Sequence, residues 1–339
     1  MLDVLIQNGL VIDGSGSPGF FAAVLIKGDA ITIQRGDVSH LEATRIIDAS
    51  GYVVCPGFVD LHSHAGLTIM GEPHHDPKVR QGVTTELIGI DGMSHAPFKT
   101  RGEQERYIWQ DSGLNGYPPL PTDWLTVAEQ LSKYDNAVAV NQAFILGNSP
   151  VRIWGVGWND RPATSSELED MKSVVREAME EGAWGLSTGL DYPPGSYAST
   201  AELSELAQVA ARLGGHYHTH TRASLRTNGL LAPWEEALEI GRNGDCPVPY
   251  PLPARCLWGG QSSGLFRTGR KRTQRRYGRD VRLLYLSLLG DHSDNRFSPL
   301  GQGRWSREAN GRLKGRRRPR AHETRTLARS VRKQLANQF

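Results

Sequence analysis

Two histidines separated by one residue are the first side chains whose spacing suggests a chemical function. His62 and His64 end the apolar, β-branched segment 53–61, which contains a Pro-Gly pair. Alternation along a β-strand would place both rings on the same face. Neutral imidazole is a good ligand for Zn²⁺ and similar divalent ions, so the spacing predicts a metal site. The alternative is two ordinary polar residues at the end of a strand.

Further candidate residues follow other apolar runs. Asp91 comes directly after the run 85–90, either as a metal-binding carboxylate or as the first residue of an Asp-Gly turn. His216, His218 and His220 alternate along the strand-like segment at 216–220, so their three rings are expected to share one face. The remaining histidines near the first pair, His74, His75 and His95, have loop-like neighbours and are not predicted as ligands.

The elements that must position these residues alternate between strands and helices from about residue 53 to residue 248. Short apolar runs typical of buried parallel strands lie at 84–90, 137–146 and 184–189. Capping signals predict helices that begin at Thr164 with Glu167, at Ser199 with Glu202, and at Thr122 or Asp123. Repeated βα units predict a (β/α)₈ barrel, in which chemistry lies at the carboxyl ends of the strands.

The segment before residue 53 has a different pattern. Short alternating runs are separated by turn residues at Asn8-Gly9, Asp13-Gly14 and 27–29, which predicts a small β-sheet and no helix. No cluster of ligands or bases occurs here, so we expect a structural role.

Charge is distributed unevenly along the 339 residues. The net charge of +3 combines 17 basic and 31 acidic residues in 1–245 with 22 basic and 5 acidic residues in 246–339. The 19 arginines of the second part leave open a disordered arm that binds nucleic acid, although the aromatic or motif context of a folded binding module is missing.

Cysteine usage and hydropathy bear on the compartment. Three cysteines are too few for a disulfide framework, which favours a reducing cytoplasm. The sequence contains no basic n-region followed by an apolar core at its start and no run of 18 apolar residues. We therefore predict neither a signal peptide nor a membrane span.

Four strings taken together resemble a known family. PGFVDLHSH at 56–64, GVTTELIGIDGMSHAP at 82–97, GAWGLSTGLDYPPGSYAST at 182–200 and GGHYHTHTR at 214–222 are similar to the N-acyl-D-amino-acid deacylases, or D-aminoacylases, of the amidohydrolase superfamily. The HxH pair is shared across that superfamily, whereas the GLSTGLDYPPGS string is much narrower. The resemblance covers about residues 1–248.

The resemblance implies a fold and a metal centre. The expected fold is an α/β protein with a (β/α)₈ TIM-type barrel at 53–248 and a small N-terminal β-sandwich at 1–52. One or two Zn²⁺ ions would be held by His62, His64, Asp91 and His220, leaving His216 and His218 as supporting or packed rings.

The resemblance also implies a reaction. The family hydrolyses the amide bond of N-acyl-D-amino acids to a carboxylate and a D-amino acid, with Zn²⁺ lowering the pKa of water and polarising the carbonyl. Tyr192 and Arg222 would bind the substrate carboxylate or shape its pocket, and a structural ion pair is an equal alternative for Arg222. Dihydropyrimidinase, dihydroorotase and isoaspartyl dipeptidase relatives are the nearest rivals. They usually carry a carbamylated lysine, and no lysine stands at a predicted strand end here.

The sequence departs from the family after residue 248. The family expects a further ligand histidine, two more strands and a general-base aspartate, and none is present in the Arg-rich segment 249–339, so no catalytic residue is predicted. All codon choices for residues 279–290 can be written out and read from the second nucleotide of the Arg279 codon. The translations that this shifted frame allows include VTFDCYTYPYS, which looks like a buried strand. We therefore predict an out-of-frame tail, an incomplete barrel, poor folding and little activity, with DNA sequencing as the test.

Overall fold

The computed structural model describes residues 1–248, which divide into two compact units at Met1–Pro56 and 57–248. The predictions made for 249–339, including the out-of-frame tail, the nucleic-acid-binding arm and the missing strands, lie outside the described residues.

The first unit is a small mixed sheet. Its strand order is β3-β2-β1-β4, with β5 also paired to β1, and its strands are β1 (Leu2–Val11), β2 (Phe20–Lys27), β3 (Ala30–Gln34), β4 (Ala43–Asp48) and β5 (Val53–Val54). β1 is antiparallel to β2 and parallel to β4 and β5. Leu5, Ala23, Leu25 and Val38 form its apolar cluster. The small β-sheet expected before residue 53 is therefore confirmed.

The turn expected at Asn8-Gly9 is wrong, because β1 continues through both residues. The pairing register with β2 shifts between Ile6 and Gly9, and Asn8 has a φ of 64°, so the local feature is a β-bulge. Asparagine tolerates this left-handed conformation, and the Asn8 side chain donates to Asp48 Oδ1 at 2.9 Å. A bulge and a turn use the same residue types, which is why the sequence pattern did not separate them.

The second unit contains six strands, and every pairing between them is parallel. They form the orders β6-β7-β8 and β9-β10-β11, with the strands β6 (Phe58–Asp60), β7 (Val83–Ile88), β8 (Asn141–Phe144), β9 (Leu146–Gly147), β10 (Gly185–Gly189) and β11 (His216–His220). The two sets meet where Ile145 N donates to Ile88 O at 2.9 Å and Trp184 N donates to Phe144 O at 2.8 Å. β8 and β9 thus behave as one strand interrupted at Ile145.

Eight helices accompany the described strands. They are α1 (Thr68–Gly71), α2 (Asp76–Val79), α3 (Arg101–Asn115), α4 (Val127–Ser132), α5 (Asn148–Gly155), α6 (Ser165–Glu181), α7 (Thr200–Arg212) and α8 (Ala232–Asn243). Methionine, valine, leucine and alanine side chains of α6 and α7 join the apolar side chains of β8 to β10 in one core. Parallel strands alternating with helices confirm an α/β fold and agree with part of a (β/α)₈ barrel.

The helix starts predicted from capping signals are right at two positions and wrong at a third. Thr164 and Ser199 cap α6 and α7 as expected. The helix predicted from Thr122 or Asp123 begins at Val127, because Thr126 forms the capping box with Glu129.

The prediction of a single strand at 53–61 is also wrong. Pro56 and Gly57 separate β5, which belongs to the first unit, from β6, which belongs to the second. Proline has no backbone N–H to give to a ladder, so a strand is easily interrupted there. As a result β6 ends at Asp60, and His62 and His64 lie in the loop that follows it.

Replacing Thr164 with alanine should lower the free energy of unfolding by about 1 kcal/mol. The Thr164 hydroxyl accepts from Glu167 N at 3.3 Å, and the Glu167 carboxylate accepts from Thr164 N at 2.8 Å. The change leaves the first-turn N–H unsatisfied, and urea unfolding followed by circular dichroism measures the loss. Ser173→Ala on the exposed face of the same helix is the control, since alanine favours helix interiors and stability should not fall.

Candidate metal centre

Four of the residues singled out from the sequence lie at the carboxyl ends of parallel strands. His62 and His64 follow β6, Asp91 follows β7 and His220 is the last residue of β11. Parallel strands present their carboxyl ends at the same edge of the sheet, and this edge carries the site in α/β barrels. The fold therefore gathers residues from positions up to 158 apart in the sequence.

Three imidazole nitrogens converge on one carboxylate oxygen of Asp91. His62 Nε2 and His64 Nε2 are each 3.4 Å from Asp91 Oδ2, and His220 Nδ1 is 3.7 Å from the same atom. Ligand atoms of His62, His64 and Asp91 all lie within 4.8 Å of one another. The same-face argument for the two histidines is wrong in detail, because they lie in a loop, yet their ring centroids are only 5.6 Å apart.

Asp91 lies in a tight turn. Met93 N donates to Ile90 O at 3.0 Å, and the two central residues, Asp91 and Gly92, have φ of 55° and 72°. Positive φ at both positions is the signature of a type I′ turn, which aspartate and glycine tolerate best. Asp91 is therefore a turn residue, and because its carboxylate faces the three histidines, the turn does not exclude a role as a ligand.

Glycines allow this turn to lie against the neighbouring strand ends. A Cβ added at Gly189 would overlap the Asp91 carbonyl oxygen, and one added at Gly147 would overlap the Gly92 carbonyl oxygen. Ser187 on β10 accepts from Gly92 N at 3.1 Å. The position of the Asp91 carboxylate is thus fixed by β9 and β10 as well as by its own strand.

Burial and hydrogen bonding act in opposite directions on Asp91. Burial alone would raise the pKa of this carboxyl, but hydrogen bonds from His220, His62 and His64 hold it well below its usual range. Its second oxygen, Oδ1, is buried and has no hydrogen-bonding partner in the described part of the protein. A buried ionised carboxylate with an unpartnered oxygen beside three imidazoles fits a divalent cation, since nitrogen and oxygen donors are what such ions take.

Asp191, which the sequence analysis did not single out, holds the outer side of His220. Its Oδ2 is 3.2 Å from His220 Nε2, and its Oδ1 accepts from Ala223 N at 2.8 Å. The opposite nitrogen, Nδ1, is thereby directed toward Asp91. Carboxylates commonly orient metal-binding histidines in this way. The available signal was its position shortly after β10, inside the GLDYPP string.

The two residues predicted to bind substrate have different surroundings. The Tyr192 ring lies 4.9 Å from the His220 ring, at the rim of the site. Arg222 donates from Nε to Glu236 at 3.2 Å, from one terminal nitrogen to Ser196 O at 2.6 Å and from the other to Ala198 O at 2.8 Å. Its guanidinium is therefore engaged in an ion pair and in holding the 195–198 turn.

The other histidines have partners or surroundings of their own. His75 Nε2 lies 3.1 Å from the Glu86 carboxylate, and His95 Nε2 lies 3.0 Å from Asp111. His218 is buried with its ring 5.5 Å from that of His62, and burial lowers its pKa to about 4. His218 is thus neutral at neutral pH, as a ring packed beside the site should be.

Comparisons with known proteins agree with this geometry. The sequence profile of the amidohydrolase family matches residues 45–251. This chain belongs to the amidohydrolase family. Within it, the resemblance to N-acyl-D-amino-acid deacylases is confirmed by relatives from Alcaligenes xylosoxydans xylosoxydans. A D-aminoacylase is 36% identical over 73% of this chain and 49% of its own length, and an N-acyl-D-glutamate deacylase is 33% identical over 80% and 54%.

Solved structures of deacylases are also similar to this amidohydrolase. A crystal structure of D-aminoacylase matches with a TM-score of 0.60 at 33% identity, covering 73% of this chain and 51% of that one. N-acyl-D-glutamate deacylase from Bordetella bronchiseptica, complexed with zinc and a phosphonate inhibitor, matches with a TM-score of 0.66 at 30% identity, covering 80% and 56%. The chain therefore spans about half the length of the relatives that it matches.

Membrane insertion was not expected for this amidohydrolase. None of the helices at 1–248 combines the length and the apolar character needed to cross a bilayer.

Metal affinity of this amidohydrolase should fall as the pH is lowered from 8 to 6. Hydrogen bonding to Asp91 raises the pKa of both His64 and His220 above the usual value of 6.5, so each ring retains its proton to higher pH before metal binds. Metal must displace these protons, which weakens affinity about tenfold per pH unit for each proton released. Calorimetric titration with Zn²⁺ in buffers of different ionisation enthalpy counts the protons. Equal affinity at pH 6 and pH 8 would contradict the expectation.

Proposed function

We propose that this amidohydrolase derives from, or is part of, a divalent-metal-dependent enzyme that hydrolyses N-acyl-D-amino acids to a carboxylate and a D-amino acid. The observation that carries the proposal is the convergence of His62, His64 and His220 on the buried carboxylate of Asp91. Similarity to D-aminoacylase and to N-acyl-D-glutamate deacylase supports the substrate class. Zinc is the proposed ion, because imidazole and carboxylate suit it and the similar Bordetella bronchiseptica enzyme was solved with zinc.

The proposed roles of the residues follow from their positions. A divalent cation at this centre would supply Lewis acidity toward an amide carbonyl and make water acidic enough to react near neutral pH. His62, His64, Asp91 and His220 would hold it. His62 has the most exposed side chain of the four, at 43%, so substrate would approach on that side.

The substrate end of the site would be built by Tyr192 and, indirectly, by Arg222. The Tyr192 ring lies against the His220 ring, where it would form one wall of the substrate pocket. Arg222 would shape the pocket by holding the carbonyls of Ser196 and Ala198, since a direct contact with the substrate carboxylate would require it to leave them. In a protein whose reading frame is restored after residue 248, Arg222→Lys would keep the charge but not the forked geometry, and should raise KM more than it lowers kcat.

The proposed complete fold has a (β/α)₈ barrel and a small β-sandwich. Strands β6 to β11 would be its first five barrel strands, with β8 and β9 counted as one. Pro247 O accepts from Tyr217 N at 2.8 Å, so the chain returns to the edge of β11 just before the described residues end. Such a return is where a sixth parallel strand would begin.

The test of the proposed activity is amine release from N-acetyl-D-amino acids by two zinc-loaded proteins. One is this chain, and the other has the reading frame shifted by one nucleotide from codon 249. We expect turnover of the D-substrates by the frame-shifted protein and only background by this chain, because we predict that its segment 249–339 lacks the general-base aspartate.

Two controls identify what has failed if turnover is absent. N-acetyl-L-amino acids test the stereochemical preference, and a cyclic imide such as dihydrouracil tests the rival amidohydrolases. Hydrolysis of the cyclic imide in place of the linear D-substrate would contradict the deacylase assignment. DNA sequencing that shows one uninterrupted frame through codons 249–339 would remove the out-of-frame explanation.

A further inference from the structure

Two acidic side chains lie next to each other on neighbouring strands below the metal centre. Asp60, the last residue of β6, is paired with Glu86 of β7, and paired residues of neighbouring strands point to the same face of a sheet. The Glu86 side chain is fully buried, whereas 27% of the Asp60 side chain is exposed. Adjacent carboxylates repel each other and a buried one needs compensation, so this pair requires a positive partner.

Lys78 of α2 is that partner. Its Nζ contacts Asp60 Oδ2 and lies 3.2 Å from Glu86 Oε1. Glu86 has two further partners, because His75 Nε2 is 3.1 Å from Oε1 and Gln142 Nε2 is 3.3 Å from Oε2. The buried Glu86 therefore keeps its partners if Asp60 is changed, while Lys78 fixes the direction of Asp60 Oδ2.

The other oxygen of Asp60 reaches the loop that carries the first two histidines of the site. Asp60 Oδ1 accepts from His62 N at 3.0 Å. An aspartate that accepts from the backbone two residues further on forms an Asx-turn, which sets the direction of the chain as it leaves a strand. Ser63 N donates to Leu87 O at 3.1 Å. The loop that presents the His62 and His64 rings is thus tied down at two successive residues.

The Asp60 side chain lies on the helix side of the sheet. Its partner Glu86 shares a face of β7 with Ile88, which belongs to the core formed with helices α6 and α7. Leu87, on the opposite face of β7, belongs to a separate apolar cluster. Asp60 is also not a member of the described group of donor atoms around Asp91. Asp60 can therefore influence a metal through its charge or through the loop, but not as a ligand.

We propose that Asp60 is a positioning residue for the candidate metal centre: its Oδ1 holds the His62 N–H and thereby fixes the loop that presents His62 and His64. The proposal rests on the proposed function for the identity of the site. Its claim about the loop concerns the metal-free chain as well, so it can be tested without metal.

The first test measures hydrogen exchange of the His62 backbone amide by NMR in the full, metal-free chain. Asp60→Ala should speed this exchange about fivefold or more, because the amide loses its acceptor. Asp60→Asn removes the same charge but keeps Oδ1 as an acceptor, so the exchange rate should stay near that of the unaltered chain. Asp60→Leu removes the acceptor with little change in shape and replaces Asp60→Ala if that variant does not fold.

The second test measures the Co²⁺ affinity of the same proteins from their visible spectra. A loosened loop spreads the His62 and His64 rings over more positions, so Asp60→Ala should weaken binding about tenfold. Asp60→Asn should lose much less affinity. Because both variants lose one negative charge, the difference between them measures the effect of the hydrogen bond alone.

Three outcomes decide between the explanations. Unchanged His62 exchange in a folded Asp60→Ala or Asp60→Leu protein would overturn the proposal. An Asp60→Asn protein that loses as much Co²⁺ affinity as Asp60→Ala would also overturn it, since the charge alone would then explain the loss. Faster His62 exchange in Asp60→Ala, in a chain that binds no Co²⁺ before or after the change, would support the anchoring of the loop and contradict the metal site.

Discussion

Replacing Asp91 with asparagine is expected to weaken Zn²⁺ binding by more than about 100-fold, since even residues that only orient metal ligands contribute 10- to 100-fold. Asparagine has the same shape but no charge, and Asp91 Oδ2 is the atom on which His62, His64 and His220 converge. Competition with a chromophoric chelator measures the affinity. In the metal-free state the variant should retain its helical circular dichroism.

The matched control removes a carboxylate that has no contact with the site. Asp170→Asn on the exposed face of α6 makes the same chemical change at a distance and should leave Zn²⁺ affinity unaltered. Tight zinc binding that survives Asp91→Asn would mean that the centre described here is not where the protein holds metal.

Replacing Glu202 with alanine should lower the free energy of unfolding by about 3 to 5 kcal/mol, the usual penalty for leaving a buried charge without its partner. Arg152 has only 1% of its side chain exposed, and one of its terminal nitrogens lies 2.8 and 2.9 Å from the two carboxylate oxygens of Glu202. The pair joins α5 to α7. Urea unfolding monitored by circular dichroism gives the change.

Two comparisons separate a buried charge from lost packing. The double variant Arg152→Met/Glu202→Leu should recover much of the loss, because two apolar side chains leave no unpaired charge. Arg80→Met breaks the exposed pair with Asp76 and should change stability by less than about 1 kcal/mol. A loss below 1 kcal/mol in Glu202→Ala would show that Arg152 finds another partner.

The sequence alone determined the type of fold and singled out the residues that meet at the candidate metal centre. Strand runs and capping signals predicted the alternation of β7 to β11 with α6 and α7, because burial imposes these periods on the residues themselves. His62, His64 and Asp91 could be singled out because the carboxyl ends of parallel strands share one edge, so residues just past each apolar run were candidates. The choice of His220 among the three alternating histidines, and of a ligand role for Asp91, came from the family resemblance.

Only the tertiary structure decided what surrounds these donors. Helix α3 was not predicted because the face that it buries includes Gln104, Asp111 and Asn115, so its apolar residues show no helical period. Those polar residues can be buried only because other parts of the chain bond to them. The His64 ring contacts Asn115, and the His220 ring contacts Asp191. Hydrogen bonds between segments far apart in the sequence produce no periodic pattern in the sequence. They can therefore be identified only from the tertiary structure.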